Sequence, residues 1–293
     1  MTHAISRRSA LRGLGLATAA MTLAACSTTG GNGPGTSAAE GDLLTGARDA
    51  GVLRVAIGNE PPYTKMEGST VTGAEPDVLR AVAKRLGIDE IEGVTTAYES
   101  MIPGLQAGRW DVVAAGLFMK QSRCSQVAYT EPVIVSTESF GVPPGNPKNI
   151  TSIQDVLDDK SLKIGVLPGA FEEGILDTAG VPKSQWVSVP DGRGGVSAVK
   201  AGRADAFLLP TLSLEALAEN DSGFEVTDVI EDAPKTGSGA AFPKGETEMV
   251  EAYNKELEEF KQTEEFDEIM EKWGFDPEPA KNTTSEELCK NEG

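Results

Sequence analysis

Short apolar runs alternate with amphipathic stretches along most of this chain, and the two periods predict strands followed by helices. Val52-Leu-Arg-Val-Ala-Ile57 has the length and β-branched content of a strand. From Glu75 to Leu86 the period becomes helical. Val78, Leu79, Val82, Ala83 and Leu86 share one face, and Arg80, Lys84 and Arg85 share the other. Residues 91–94 read as a strand, 101–107 as a short helix, and 112–115 as a continuous apolar run suited to a buried parallel strand. The same grammar restarts after Pro143-Pro144-Gly145-Asn146-Pro147. It predicts a helix at 153–157, a strand at 163–167, a helix at 171–179, a strand at 186–189, a helix at 195–201 and a strand at 204–209. A second Gly/Pro crossing at 237–243 precedes a charged amphipathic helical region over 247–273. Such alternation predicts an α/β fold with mostly parallel sheets. The two crossings predict an inserted domain: 43–142 plus 241–293 forms domain 1, and 143–240 forms domain 2. Two connecting strands then make a hinge beside a ligand cleft.

The N-terminus changes the picture of where this fold works. Arg7, Arg8 and Arg12 precede an apolar run at 14–25 that is too short to span a bilayer, closed by Leu23-Ala24-Ala25-Cys26. That closing motif resembles a bacterial lipobox, so residues 1–25 are read as a lipoprotein signal peptide and Cys26 as the lipidated residue. The protein is then exported and anchored to the outer face of the cell membrane. Residues 26–42, rich in Gly, Ser and Thr, read as a flexible tether. Ser6-Arg7-Arg8-Ser9 also resembles a twin-arginine export signal, which leaves the export route open between the two systems.

Removing the three signal arginines from 26 basic residues leaves 23 against 45 acidic ones, a formal charge of −22. So acidic a surface argues against nucleic acid as a partner. The single histidine, His3, leaves with the signal, which excludes Ser-His and Cys-His catalysis and His-ligated metal sites. No cofactor is called for. If Cys26 is acylated, Cys124 and Cys289 are the remaining pair in an oxidising compartment, and a disulfide between them is expected. It would pin the C-terminal tail beside the segment Gly108–Cys124.

Several motifs in order resemble family 3 extracellular solute-binding proteins of ABC importers: Gly51-Val-Leu-Arg-Val-Ala, the 73–87 helix, Ile102-Pro-Gly-Leu-Gln-Ala-Gly-Arg-Trp-Asp111, Gly202-Arg-Ala-Asp-Ala-Phe207 and Glu271-Lys-Trp-Gly274. The resemblance implies a type II periplasmic-binding-protein-like fold, a monomer, an ABC permease as partner and no enzymatic step. Within the family, Gly58-Asn-Glu-Pro-Pro-Tyr63, Ala114-Ala-Gly-Leu-Phe118, Arg123-Cys124 and Gly145-Asn-Pro-Lys-Asn149 are similar to ectoine/hydroxyectoine-binding proteins. It implies that Glu60 contacts ring nitrogens, Arg123 takes a carboxylate, and Tyr63, Tyr98 and Phe118 box the ring. Amino-acid binders of the family usually carry Ser or Thr where this chain has Phe118. They also usually place an aspartate near 210, where this chain has Pro210-Thr211.

The chemistry agrees with that likeness. Arg123 offers a planar fork for bidentate bonds to a carboxylate. Aromatic faces suit a diffuse cation, at about 0.5–2 kcal/mol for each desolvated contact. A structural reading stays open for each residue: Tyr63 could cap a core, Tyr98 and Phe118 could be packing, Glu60 could be merely solvated and Arg123 could pair with a surface acid. In the second domain, Gly169, Ala170 and Phe171 are expected to present backbone N–H groups at a helix start, with Asp191 an equal candidate. Trp110 and Trp186 are expected in the core. Other compact zwitterions (glycine betaine, proline betaine, an amino acid) remain alternatives to ectoine and hydroxyectoine, and a dehydratase-type enzyme on the same fold is a remote one.

Overall fold

A computed structural model describes residues 42–219 and 221–292. The expected signal segment, Cys26, His3 and all of the tether except Asp42 lie outside the described residues. The chain builds two five-stranded sheets. In the first, the order is Glu90–Thr95, Val52–Ile57, Val112–Val113, Ala241–Pro243 and Val127–Tyr129. The first three strands are parallel, and Ala241–Pro243 runs antiparallel to both its neighbours. In the second, the order is Trp186–Ser188, Ile164–Val166, Ala206–Pro210, Glu138–Val142 and Glu225–Val226. Here too three strands are parallel, and the fourth is antiparallel to both neighbours. This is the two-lobed α/β architecture expected from the alternation.

The chain passes between the sheets through a two-stranded antiparallel ribbon, Ile134–Ser136 with Thr236–Ser238. The segment Glu138–Val142 belongs to the second sheet, although the sequence reading assigns 138–142 to the first domain. Every residue of that strand is buried, and its register sets Phe140 against Leu208 and Glu138 against Pro210. Pairing across some seventy residues of sequence carries no local signal, so the crossing lies at the ribbon instead of at residue 142.

Helix Ala74–Arg85 forms as the 3.6 period predicts, burying Val78, Leu79, Val82 and Ala83. Each of the valine and leucine side chains contributes about 1.5–3 kcal/mol of burial free energy. Glu75 and Asp77 in its first turn and Lys84 and Arg85 in its last complement the helix dipole. Gly73 precedes it at φ 124, where a Cβ would lie 2.4 Å from the Tyr63 carbonyl oxygen. Only glycine lets the 60–64 turn, which carries two candidate site residues, lie across the helix start.

Other boundaries differ from expectation. The helix expected at 101–107 spans Tyr98–Gln106, so Tyr98 opens it. The one expected at 195–201 spans Gly192–Lys200, with the Asp191 carboxylate accepting from Gly194 N as its cap. The region 247–273 is two helices, Thr247–Phe260 and Glu264–Lys272, because the Thr263 hydroxyl caps the second. Trp110 is core, 4% exposed, with Nε1 donating to the Met101 carbonyl. Trp186 is half-buried, its outer face covered by Lys183, whose Nζ stands 3.7 Å from the ring centre.

The C-terminal tail is part of the fold. Cys124 and Cys289 form a disulfide, with their Cα atoms 5.9 Å apart. Gln121 N donates to the Asn291 carbonyl, and Ser285 donates through N and Oγ to Glu131. Leu288 packs so closely on the ribbon that a Cβ on Gly237 would meet its side chain at 2.7 Å.

Candidate functional site

The first lobe supplies a wall from three places in sequence. The turn after Val52–Ile57 brings Glu60, 9% exposed; helix Tyr98–Gln106 brings Tyr98 at its first position; the loop after Val112–Val113 brings Gly116 and Phe118. Helix Gln121–Cys124 then turns Arg123 inward, 5% exposed. The loop is held by Glu75, whose Oε2 accepts from Gly116 N at 2.5 Å, and by the Tyr98 hydroxyl, which donates to the Ala115 carbonyl at 2.9 Å.

The second lobe faces this wall with Leu167, Ala170, Phe171, Glu172, Leu209 and Pro210. The two walls enclose a cavity of about 10 Å³ and touch at several points. Ser213 Oγ donates to Glu60 Oε1 at 2.6 Å. Arg123 Nη1 donates to the Phe118 carbonyl and Nη2 to the Gly169 carbonyl, both at 2.7 Å, so one guanidinium holds backbone from both lobes. Phe118 and Phe171 meet edge to face with ring centres 5.8 Å apart. Gly169, at φ +72, brings its backbone so near helix Tyr98–Gln106 that a Cβ would lie 2.7 Å from Glu99 Cα.

Charge is unevenly distributed across these walls. Burial raises the Glu60 carboxyl, and the hydroxyls of Ser213 and Tyr98 partly offset it. Burial, with Glu60 nearby, pushes Glu172 up to about 7. Burial, Glu172 and Glu60 hold Glu138 well above the carboxylate range. On the basic side, burial lowers the Arg123 guanidinium, and burial with Arg123 alongside lowers Lys120 to about 8. Lys120 Nζ stands 5.5 Å from the Phe171 ring centre. The arrangement suits a small solute with a carboxylate at the Arg123 end and a cation at the Glu60 end, under aromatic cover. Among the described residues, no group of His, Cys, Asp and Glu is arranged to hold a metal ion.

Of the residues expected here, Glu60, Tyr98, Phe118, Arg123, Ala170 and Phe171 converge on one cavity. Tyr63 stands behind it, 1% exposed, edge-on to Phe118 at 5.7 Å and to Phe275 at 5.0 Å, with its hydroxyl bonded to Ser136 Oγ. Gly169 contributes its carbonyl to Arg123, while its N–H is taken by Glu173 Oε2 and that of Ala170 by the Leu167 carbonyl. Two of the three amides expected to face a ligand, those of Gly169 and Ala170, are therefore engaged. Sequence reasoning missed Glu138, Glu172 and Ser213. The available signal was an acid opening a short run that carries Phe140 and Val142 (ESFGV) and a second one next to Phe171.

Comparison with known proteins bears on this geometry. The family described as bacterial extracellular solute-binding proteins, family 3, matches residues 53–276. A probable amino-acid ABC transporter periplasmic-binding protein of Sinorhizobium fredii is 35% identical over 254 residues, 82% of this chain and 84% of that protein. A crystal structure of EhuB in complex with hydroxyectoine superposes with a TM-score of 0.82 at 41% identity, covering 86% of this chain and 99% of that one. An ancestral amino-acid-binding protein, precursor of cyclohexadienyl dehydratase, superposes with a TM-score of 0.70 at 26% identity, over 78% of this chain and 98% of that one.

Proposed function

Because this chain belongs to family 3 of the bacterial extracellular solute-binding proteins, we propose that it captures ectoine or hydroxyectoine and delivers it to the permease of an ABC transporter. One observation carries this reading: Glu60, Tyr98, Phe118 and Arg123, far apart in sequence, line a single cavity. The likeness to a hydroxyectoine complex at 41% identity supports it. Arg123 trades its backbone carbonyls for the solute carboxylate, a charge-assisted and bidentate exchange. Glu60 accepts a ring N–H, and Tyr98 and Phe118 cover the delocalised charge, while Tyr63 backs Phe118. Excluding water strengthens both charged contacts.

The two lobes act as domains that separate and close about the Ile134–Ser136 and Thr236–Ser238 ribbon. The walls touch through Ser213 and Glu60, Gly169 and Arg123, and Phe171 and Phe118, so they move apart to admit a solute. Among the described residues, no helix is long and apolar enough to cross a membrane. In this reading attachment comes from acylated Cys26, and a Cys26→Ala protein is released from cells. The protein performs no chemistry on its cargo.

Isothermal titration of the purified domain with ectoine and hydroxyectoine tests the ligand. The expected result is binding at micromolar concentration or tighter. Absence of heat with both solutes, in a protein that melts cooperatively, overturns the ligand assignment. A second reading, a cationic amino acid, is favoured by the buried Glu172 on the second wall, and arginine and histidine belong in the same titration series.

A further inference from the structure

Glu138 is buried behind the cleft, with the Thr236 hydroxyl and the Glu172 carboxyl as its polar neighbours. It opens the strand Glu138–Val142 and is 1% exposed, and neither carboxyl oxygen has a hydrogen-bond partner among the described residues. The Thr236 hydroxyl, which eases the Glu138 carboxyl downward, donates to the Ser136 carbonyl at 3.0 Å. Burying a carboxyl without direct hydrogen bonds is unfavourable, so its presence asks for a compensating role.

Its position supplies one. Glu138 is in register with Pro210 on the neighbouring antiparallel strand, and directly opposed residues project from the same face of a sheet. Pro210 lines the cavity. Glu172 and Glu60, the charges that act most on Glu138, line it too. Glu138 therefore lies beneath the cavity wall, near the two acids that border it, with neither oxygen in a direct hydrogen bond among the described residues.

We propose that Glu138 is a ligand-recognition residue, a second carboxyl that takes an N–H of the solute's cationic half and selects solutes with two or more N–H donors over quaternary ammonium solutes with none. This rests on the reading of the cleft as a zwitterion site. Glu60 takes one N–H and Glu138 another, so an amidinium or guanidinium satisfies both. A trimethylammonium group satisfies neither and leaves Glu138 buried without a partner. Rejection by unpaired buried polar groups discriminates more strongly than fit alone.

The test is calorimetric titration of wild type, Glu138→Gln and Glu138→Met against ectoine, hydroxyectoine, arginine and glycine betaine, with a thermal melt of each protein. The wild type is expected to bind N–H-bearing solute at least 100-fold more tightly than glycine betaine. Both variants are expected to lose at least tenfold affinity for that solute, to bind glycine betaine no worse, and to melt no lower than wild type without solute. Wild-type affinity in both variants overturns the proposal. So does an equal loss for every solute, or a fall in melting temperature without solute, since either assigns Glu138 a structural role. If the wild type ignores both ectoines and binds arginine, the proposed ligand fails, and the variant-to-wild-type ratio on arginine still decides Glu138.

Discussion

Glu75 is 2% exposed, and its carboxylate holds Gly116 N, so the loop carrying Phe118 hangs on a buried acid. Burial raises its pKa to about 7 against hydrogen bonds that pull it down. With the folded value above the unfolded one, the native state holds the proton more tightly. Stability is then greatest below about 4.5 and declines as pH rises through about 7. A shift of this size is on the order of 3 kcal/mol. Glu75→Gln keeps a carbonyl oxygen for Gly116 N and removes the titration. Denaturant unfolding at pH 5 and pH 8 is expected to find the variant more stable than wild type at pH 8 by up to that amount, with the difference shrinking at pH 5. A difference independent of pH contradicts the account. At this scale the legible residues were those in contiguous motifs: Glu60 before two prolines, Phe118 after a glycine, Arg123 five residues on. Glu138 was illegible because its place depends on which strand lies opposite, and Ser213 because its partner Glu60 is 153 residues away.

Among elements, the C-terminal helix Ser285–Leu288 is too short to be stable alone and is held from both sides. The Cys124–Cys289 bond ties it to the segment that carries Arg123, across a sequence separation of 165. Loop-closure entropy puts the upper bound of that tie at about 5 kcal/mol, with 2–4 typical. Cys289→Ser is expected to lower unfolding free energy within that range and to weaken solute binding, as helix Gln121–Cys124 loses its anchor. Unchanged stability in a chemical melt removes the bond from the account. The sequence made long helices plain through their 3.6 period, yet misplaced their starts where capping signals were missing or disguised. Tyr98–Gln106 begins after Ala97, which has no side-chain acceptor, and Gly192–Lys200 opens with glycines that mask it. The crossing ribbon, with three residues in each strand, had no period to read.

On the scale of the molecule, the α/β class followed from alternation, while of the two Gly/Pro crossings 237–243 overlaps the ribbon and 143–147 follows a strand already in the second sheet. How closely the lobes meet did not follow, because it rests on a side chain that is absent. At Gly169 a Cβ would lie 2.7 Å from Glu99 Cα and 2.9 Å from Glu99 N, both backbone atoms that cannot step aside. Gly169→Ala puts a methyl wedge between the lobes. The positive φ adds a local cost of about 1–2 kcal/mol. Solute affinity is expected to fall at least tenfold, and small-angle scattering at saturating solute should give a larger radius of gyration than wild type. An unchanged radius refutes the wedge. Mechanically, Gly169 is a stop whose thickness sets the closed outline. Capture and shape become separately adjustable: the alanine form, loaded at high solute concentration, would present its permease with a full receptor of the wrong profile. A transport assay with it would show which of the two the permease reads.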